Sequence, residues 1–335
     1  MTIKMLELSD KPAWKEELQQ AITNPAELIQ LLGLDAGLKS GIEKAGESFS
    51  LKVPRPFVSR MVKGDPNDPL LRQVLPAPAE MIINPGYSLD PLSEQHLSPS
   101  AGIIQKYHGR VLLMVSGYCA VHCRYCFRRH FPYQENRLNR QQWRQIIADI
   151  AADSTISEVI YSGGDPLAVS DNQLAWLTQS IAEIPHIKRL RIHTRLPVVI
   201  PSRIDSHFID WLTGTRLKIV VVLHINHANE IDHQLAAAVT KLRQANIILL
   251  NQTVLLKGIN DNANCLTELS EALFSAGIMP YYLHLLDKVE GAEHFDIEES
   301  SAKAIYRQLL SQLPGYLTPK MVREIPYMGY KQPVI

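Results

Sequence analysis

The chain has 335 residues, 46% hydrophobic and 20% charged, which fits a globular protein able to bury a large core. Lys plus Arg number 34 and Asp plus Glu number 34, so the net charge is zero and nothing in the balance favours nucleic acid or an acidic membrane surface as partner. Charges scattered through the first twenty residues leave no secretory signal, and runs such as IVVVL at 219–223 fall far short of the roughly 20 apolar residues of a membrane span, so a cytoplasmic protein is expected.

In chain order, the sequence opens with helix-forming character over about 12–46 and continues through Pro-rich, turn-rich stretches such as VPRPF at 53–57 and KGDPNDPLLRQVLPAPAE at 63–80. Residues 1–105 therefore read as an N-terminal extension laid over the rest. From about 107 onward, β-branched and aliphatic runs predict strands at 110–116, 157–163, 187–194, 217–225, 247–256 and 279–286. Between them apolar residues recur at helical spacing: Trp143, Ile147 and Ile150; Leu174, Leu177 and Ile181; Leu235, Val239 and Leu242; Leu266, Leu269 and Leu273. Ser170 or Asp171, and Asn260 with Asp261, are the expected caps or turn residues. Strands buried on both faces and connections long enough for crossover helices predict a parallel sheet. Six right-handed βα units would curve into an α/β fold, a partial (β/α)6 TIM-like barrel over 106–290, followed by a helix and short tail at 291–335.

The stretch SGYCAVHCRYCFRRHF at 116–131 carries three of the four cysteines, Cys119, Cys123 and Cys126, in the loop after the first predicted strand. That is the barrel mouth, where active sites of such folds lie. Clustered thiols in a reducing compartment point to metal or redox chemistry rather than disulfides. Three thiolates can hold three corners of an iron–sulfur cubane and leave one iron open, or three positions of a zinc tetrahedron closed by His122, His130 or Cys265. YSGGDPL at 161–167 follows the second strand; Ser162, Gly163 and Gly164 would let backbone approach a ligand closely and Asp165 punctuates the turn, although a plain turn explains the same residues.

The Cys-x3-Cys-x2-Cys spacing, with Tyr125 before the last cysteine, resembles the signature loop of the radical S-adenosylmethionine (SAM) enzymes, whose architecture is similar to the partial barrel expected here. The resemblance implies a [4Fe–4S] cluster on Cys119, Cys123 and Cys126, with SAM at the open iron, cleaved to a 5′-deoxyadenosyl radical. It also implies that Ser162, Gly163, Gly164 and Asp165 form the segment that contacts SAM. DPNDPLLRQVLP at 65–76, DPLSEQ at 90–95, KYHGRVLLMV at 106–115, HTRLPVVIPSRI at 193–204, NQTVLLKGIND at 251–261 and PYYLHLLD at 280–287 resemble one branch, the lysine 2,3-aminomutases. These isomerases use pyridoxal phosphate (PLP) beside SAM and the cluster. The short bacterial form, which makes (R)-β-lysine for attachment to elongation factor P, is the nearest in pattern.

By that resemblance Lys331 is the PLP lysine, with Lys320 as the fallback, and Arg110 lies near PLP. Arg128 grips the substrate carboxylate, and Asp261 with Glu324 receives the ε-ammonium. Two departures stand out. Only Gly329 precedes Lys331 where longer members carry a glycine run, and Glu324 replaces their Asp. The implied partners are L-lysine as substrate, an electron donor such as flavodoxin and, functionally, the ligase that modifies elongation factor P; a homo-oligomer is compatible. His193, His224 and His284 read as structural residues or as contacts to SAM or PLP, and Cys265 as a small helix residue. Two alternatives stay open: an aminomutase for another amino acid such as glutamate, against which the two acids argue, and a non-enzymatic iron–sulfur or zinc protein that senses redox state or binds RNA through the basic loop, which the neutral charge weakens.

Overall fold

The structure is a computed structural model that describes residues 12–335 apart from 36, 38, 98–101 and 134–137. Nine strands form one sheet in sequential order: β1 (Ile103–Ile104), β2 (Arg110–Ser116), β3 (Glu158–Gly163), β4 (Arg189–Thr194), β5 (Lys218–His224), β6 (Ile248–Val254), β7 (Met279–His284), β8 (Lys320–Arg323) and β9 (Gln332–Pro333). Strands β2 to β8 run parallel, and β1 and β9 pair antiparallel with β2 and β8 at the two ends. The barrel is thus partial. All six predicted strands are present within a few residues of the expected bounds. The seventh parallel strand, β8, lies where only a helix and tail were expected: its four residues KMVR are too short a run to carry a periodic signal, and they are strand because Tyr282, Leu283 and His284 of β7 offer them an unpaired edge.

Helices Arg140–Ala152, Asp171–Ala182, Ser206–Thr213, His233–Gln244, Ala263–Ala276 and Glu299–Gln312 fill the crossovers. The first five start at side-chain caps: Asn139, Ser170, Asp205, Asp232 and Asn262 each accept from a backbone N–H of the first turn. The fifth of these caps is therefore Asn262 rather than Asn260 or Asp261. Asn260 is fully buried and ties its loop together, accepting from Leu256 N and donating to the carbonyls of Asn226 and Val254.

Strand alternation separates two environments. Val111, Leu113 and Val115 of β2, Val159 and Tyr161 of β3, Leu190 and Ile192 of β4 and Val221 and Leu223 of β5 join the apolar layer under the helices. The opposite face carries Arg110, Glu158, Ser162, Arg191, His193 and His224. A closed eight-stranded barrel fills its interior with branched aliphatics; here the inward face mixes polar side chains with Met114, Ile160 and Val222.

The extension does not form one long helix over 12–46. It breaks at Asn24, which caps Pro25–Leu32, and at Gly33, which ends that helix in the left-handed region at φ 64°. Its helices Ala13–Gln19, Pro25–Leu32 and Arg55–Val58 contribute Trp14, Leu28, Leu32 and Phe57 to the same apolar cluster as the strands. Trp14 is 1% exposed and lies 4.5 Å beneath the fully buried guanidinium of Arg203. Among the described residues no helix is long and apolar enough to cross a membrane.

Since the extension and the sheet share one core, Trp14→Ala should cost about 3–5 kcal/mol and lower a single cooperative thermal transition. Two separate transitions in calorimetry would show that the extension folds apart from the sheet.

Candidate active site

Cys119, Cys123 and Cys126 occupy the loop that leaves the C-terminal end of β2, and all three line a cavity of about 240 Å³ together with Arg128, Ser162, Gly163, Gly164, Asp165, His193, Arg195, His224 and Asp287. The loop is pinned to the end of β3 by backbone: Gly164 N donates to Ser116 O and Asp165 N to Tyr118 O, both at 2.7 Å. This contact accounts for the two glycines. A Cβ at Gly163, where φ is +123°, would stand 2.3 Å from Ser116 O, and one at Gly164 would stand 2.6 Å from Tyr118 O. The close approach is thus first to the cysteine loop itself. Asp165 is buried and fully engaged: Oδ1 accepts from Thr194 Oγ1 at 2.7 Å and Leu167 N at 3.0 Å, and Oδ2 from Arg195 N at 2.8 Å and Leu196 N at 2.9 Å. It clamps the β3 and β4 ends around the cavity.

The expected fourth ligands are occupied or remote. His122 stacks on Phe49 with Nδ1 2.8 Å from Ser50 O, His130 Nε2 lies 3.1 Å from Glu290 O, and Cys265 is buried in a crossover helix with Sγ 3.8 Å from Ile259 O. Among the described residues no three His, Cys, Asp or Glu side chains are grouped closely enough to hold one metal ion. Three thiols on one loop, with His122, His130 and Cys265 engaged elsewhere, are a donor set that fits an iron–sulfur cluster with one iron left open. Burial raises the Cys119 thiol well above its ordinary range, aided by the charges of Cys126, Asp165 and Cys123. Burial likewise pushes Cys126 up to about 11, with Cys123 adding to it. Three thiolates so placed repel each other unless a cationic centre sits among them.

The basic residues of this loop are not a surface patch. Arg124 and Arg129 both pair with Glu80 of the extension, Arg129 at 2.8 Å, and Arg124 is fully buried. Arg128 is 8% exposed and meets Glu94 through Nε at 2.6 Å and Nη2 at 2.9 Å, while Nη1 donates to Ser162 Oγ at 2.9 Å. The reading of an RNA-binding basic loop loses its basis here, since these guanidiniums face inward.

From Arg128 a chain of alternating charge crosses the interior. Glu94 also takes Lys106 Nζ at 2.9 Å; Lys106 reaches Glu324 at 2.8 Å; and Glu324 pairs with Lys331. Burial works against both carboxylates, yet the flanking cations hold Glu94 and Glu324 below their ordinary range. Lys331 is delivered by the return from β8 to β9, and its Nζ stands 5.9 Å from the centre of the Tyr282 ring. Its charge adds to the burial that depresses His193 and His284. Lys320, the fallback, is exposed at the start of β8. Arg110 opens β2 at the end away from the cysteines, 4.8 Å over Tyr107. His224 Nε2 and His284 Nε2 are buried without a hydrogen-bond partner, and the Tyr107 hydroxyl lies beside Glu324.

Asp261, Glu324 and Lys331 do not line the cavity of the thiols; Asp287, at the end of the segment PYYLHLLD, does. Burial pushes its carboxyl up to about 7, with Glu324 and Glu94 raising it and Lys331 and Lys106 opposing. The sequence signal for Asp287 was its place just past the C-terminal end of a predicted barrel strand. Arg195 carried the same signal after β4. Glu94 and Lys106 had no local signal of their own, although they fall in the stretches DPLSEQ and KYHGRVLLMV that carry the resemblance.

A family model described as the radical SAM superfamily matches residues 113–264. The chain is 50% identical to an L-lysine 2,3-aminomutase of Escherichia coli (strain K12), over 99% of this chain and 97% of that protein. It is also 50% identical to one of Haemophilus influenzae, covering 95% and 94%, and 32% identical to one of Clostridium subterminale, covering 96% and 77%.

Gly164→Ala should displace the cysteine loop, because the obstructing atoms are backbone. We expect a loss of about 1–3 kcal/mol in denaturant unfolding and lower iron uptake on anaerobic reconstitution; uptake equal to the parent would show that the contact is dispensable.

Proposed function

The chain belongs to the lysine 2,3-aminomutase family of radical SAM enzymes, and from that premise we propose that it is an isomerase that moves the α-amino group of L-lysine to the β-carbon, giving (R)-β-lysine for elongation factor P. One observation carries the site assignment: Asp287 lines the cavity of the three thiols and lies within electrostatic reach of Glu324 and Lys331, which pair with each other. Cys119, Cys123 and Cys126 would hold the [4Fe–4S] cluster, Ser162 with the backbone of Gly163 and Gly164 would face SAM, and Lys331 would hold PLP, with Arg110 near it. When bound, these groups supply a carbon radical and a conjugated electron sink.

The chain's own residues then bind and orient. Arg128, set in place by Glu94, offers its remaining N–H groups to the substrate carboxylate. Asp261 and Glu324, the pair that the resemblance implies, would receive the distal ammonium together with Asp287, which lines the thiol cavity; acids that a cation must neutralise select lysine over glutamate. The extension and the β8–β9 return close off water. An external one-electron donor such as flavodoxin, the ligase that modifies elongation factor P and a cytoplasmic setting complete the reading.

Anaerobic incubation with SAM, PLP, dithionite and L-lysine should yield β-lysine, while L-glutamate stays unchanged; no β-lysine from iron-replete protein would overturn the proposal. Cys126→Ala should lose the brown absorbance and turnover, and Lys331→Ala should keep the absorbance and lose covalent PLP.

Asp287 gives a pH prediction of definite sign. Its carboxyl is raised by folding, so its ionisation costs stability: the cost is absent below the ordinary carboxylate range, grows as pH rises and is complete above about 7. A bound ammonium relieves that cost. Lysine affinity should therefore strengthen as pH rises through about 7, with proton release on binding measurable by calorimetry in two buffers. Asp287→Asn should bind more weakly and lose this dependence.

A further inference from the structure

Beneath the cysteine loop lies a buried polar group that the aminomutase reading leaves without a task. Its centre is Arg195, the residue after β4, which is 4% exposed. Nη1 stands 2.8 Å from Cys123 Sγ and 2.7 Å from Tyr125 Oη, and Nη2 stands 2.6 Å from Gln73 Oε1 and 3.1 Å from Glu230 Oε2. The other members brace one another: Asn226 Nδ2 donates to Gln73 Oε1 at 3.0 Å and to Tyr125 Oη at 2.7 Å, and Gln73 Nε2 to Glu230 Oε1 at 3.1 Å. A guanidinium fixed by three elements besides its own is thereby aimed at one of the three thiols.

We propose that Arg195 is a positioning residue that donates a charged hydrogen bond to the Cys123 sulfur and so raises the reduction potential of the cluster held on Cys119, Cys123 and Cys126. The proposal rests on the cluster assignment made above. One-electron reduction adds one negative charge to the cluster, the electron coming from a low-potential external donor, with no bond made or broken. A fixed cation and a hydrogen bond at a ligating sulfur favour the state that carries the extra charge. Glu230 opposes this only in part, because it lies on the far side of the guanidinium, against Nη2, while Nη1 faces the sulfur. Gln73 belongs to the N-terminal extension, so that segment also takes part in holding the donor.

The test is anaerobic redox titration of the reconstituted full chain with dithionite, followed by the electron paramagnetic resonance signal of the reduced cluster, alongside iron and sulfide content. Arg195→Gln, with cluster content equal to the parent, should shift the midpoint to more negative potential and lower the fraction reduced at fixed dithionite. Arg195→Lys keeps the charge but cannot donate to sulfur, Tyr125, Gln73 and Glu230 together, and its midpoint should fall between the two. An unshifted midpoint in an Arg195→Gln protein with a full cluster overturns the role of Arg195 and leaves the cluster assignment intact. If that variant does not retain iron, Arg195→Lys decides: a midpoint at or above the parent's overturns the proposal. A parent protein that takes up no iron and sulfide removes the cluster assignment and this inference with it.

Discussion

Charge taken out of water must be answered by charge, and that constraint organises this interior. A buried ion left single costs several kcal/mol, so each guanidinium and carboxylate that the site needs is met by another: Arg128 by Glu94, Glu94 by Lys106, Lys106 by Glu324, Glu324 by Lys331. The alternation joins the mouth, where Arg128 sits beside Ser162, to the β8–β9 return that carries Lys331. A substrate with a carboxylate at one end and an ammonium at the other adds to this chain without breaking its rule of opposite neighbours. Asp287 is the exception: burial, with Glu324 and Glu94 adding to it against Lys331 and Lys106, holds its carboxyl up near 7.

The cysteine loop obeys the same constraint by a different route. Its three arginines could have faced solvent, where a charged run costs nothing. They instead face Glu80 and Glu94 of the extension, so the loop is fastened from one side by ion pairs and from the other by the backbone contacts at Gly163 and Gly164. Fixing a loop twice restricts where three thiols can go, which matters because desolvation and mutual repulsion oppose their ionisation. The glycine pair thus works as a packing device between two strand ends, with any ligand contact following from the shape it permits.

How legible this was depends on the range of each signal. The six strands and their helices were readable because burial on one layer repeats at short period: Leu174, Leu177 and Ile181 are apolar for a reason contained in their own helix. The grouping of the three cysteines was readable from spacing, and Lys331 was pointed to by resemblance alone. Asp287 was not singled out, since it is one of several acids at loop positions near barrel strand ends and only the three-dimensional cavity brings it to the thiols. Glu94, Lys106 and Gln73 act through partners 34, 218 and 122 positions away, and no local pattern encodes such pairings. Strand β8 was missed because four residues cannot display a period, and its structure is imposed by the free edge of β7.

The polar interior also explains why the sheet stops short of closure. A barrel that closes packs its centre with apolar side chains in layers, and those layers supply much of its stability. Here the inward positions carry Arg110, Glu158, Arg191, His193 and His224 beside Met114, Ile160 and Val222, so most of the stabilising apolar burial lies elsewhere. It lies on the helix side of the strands and under the extension, where Trp14, Phe57, Leu70 and Leu71 continue the same cluster. The extension therefore has two duties that one sequence segment can meet together. It completes the core that an open interior cannot provide, and it contributes Glu80, Glu94 and Gln73, the polar groups that hold the arginines around the thiols.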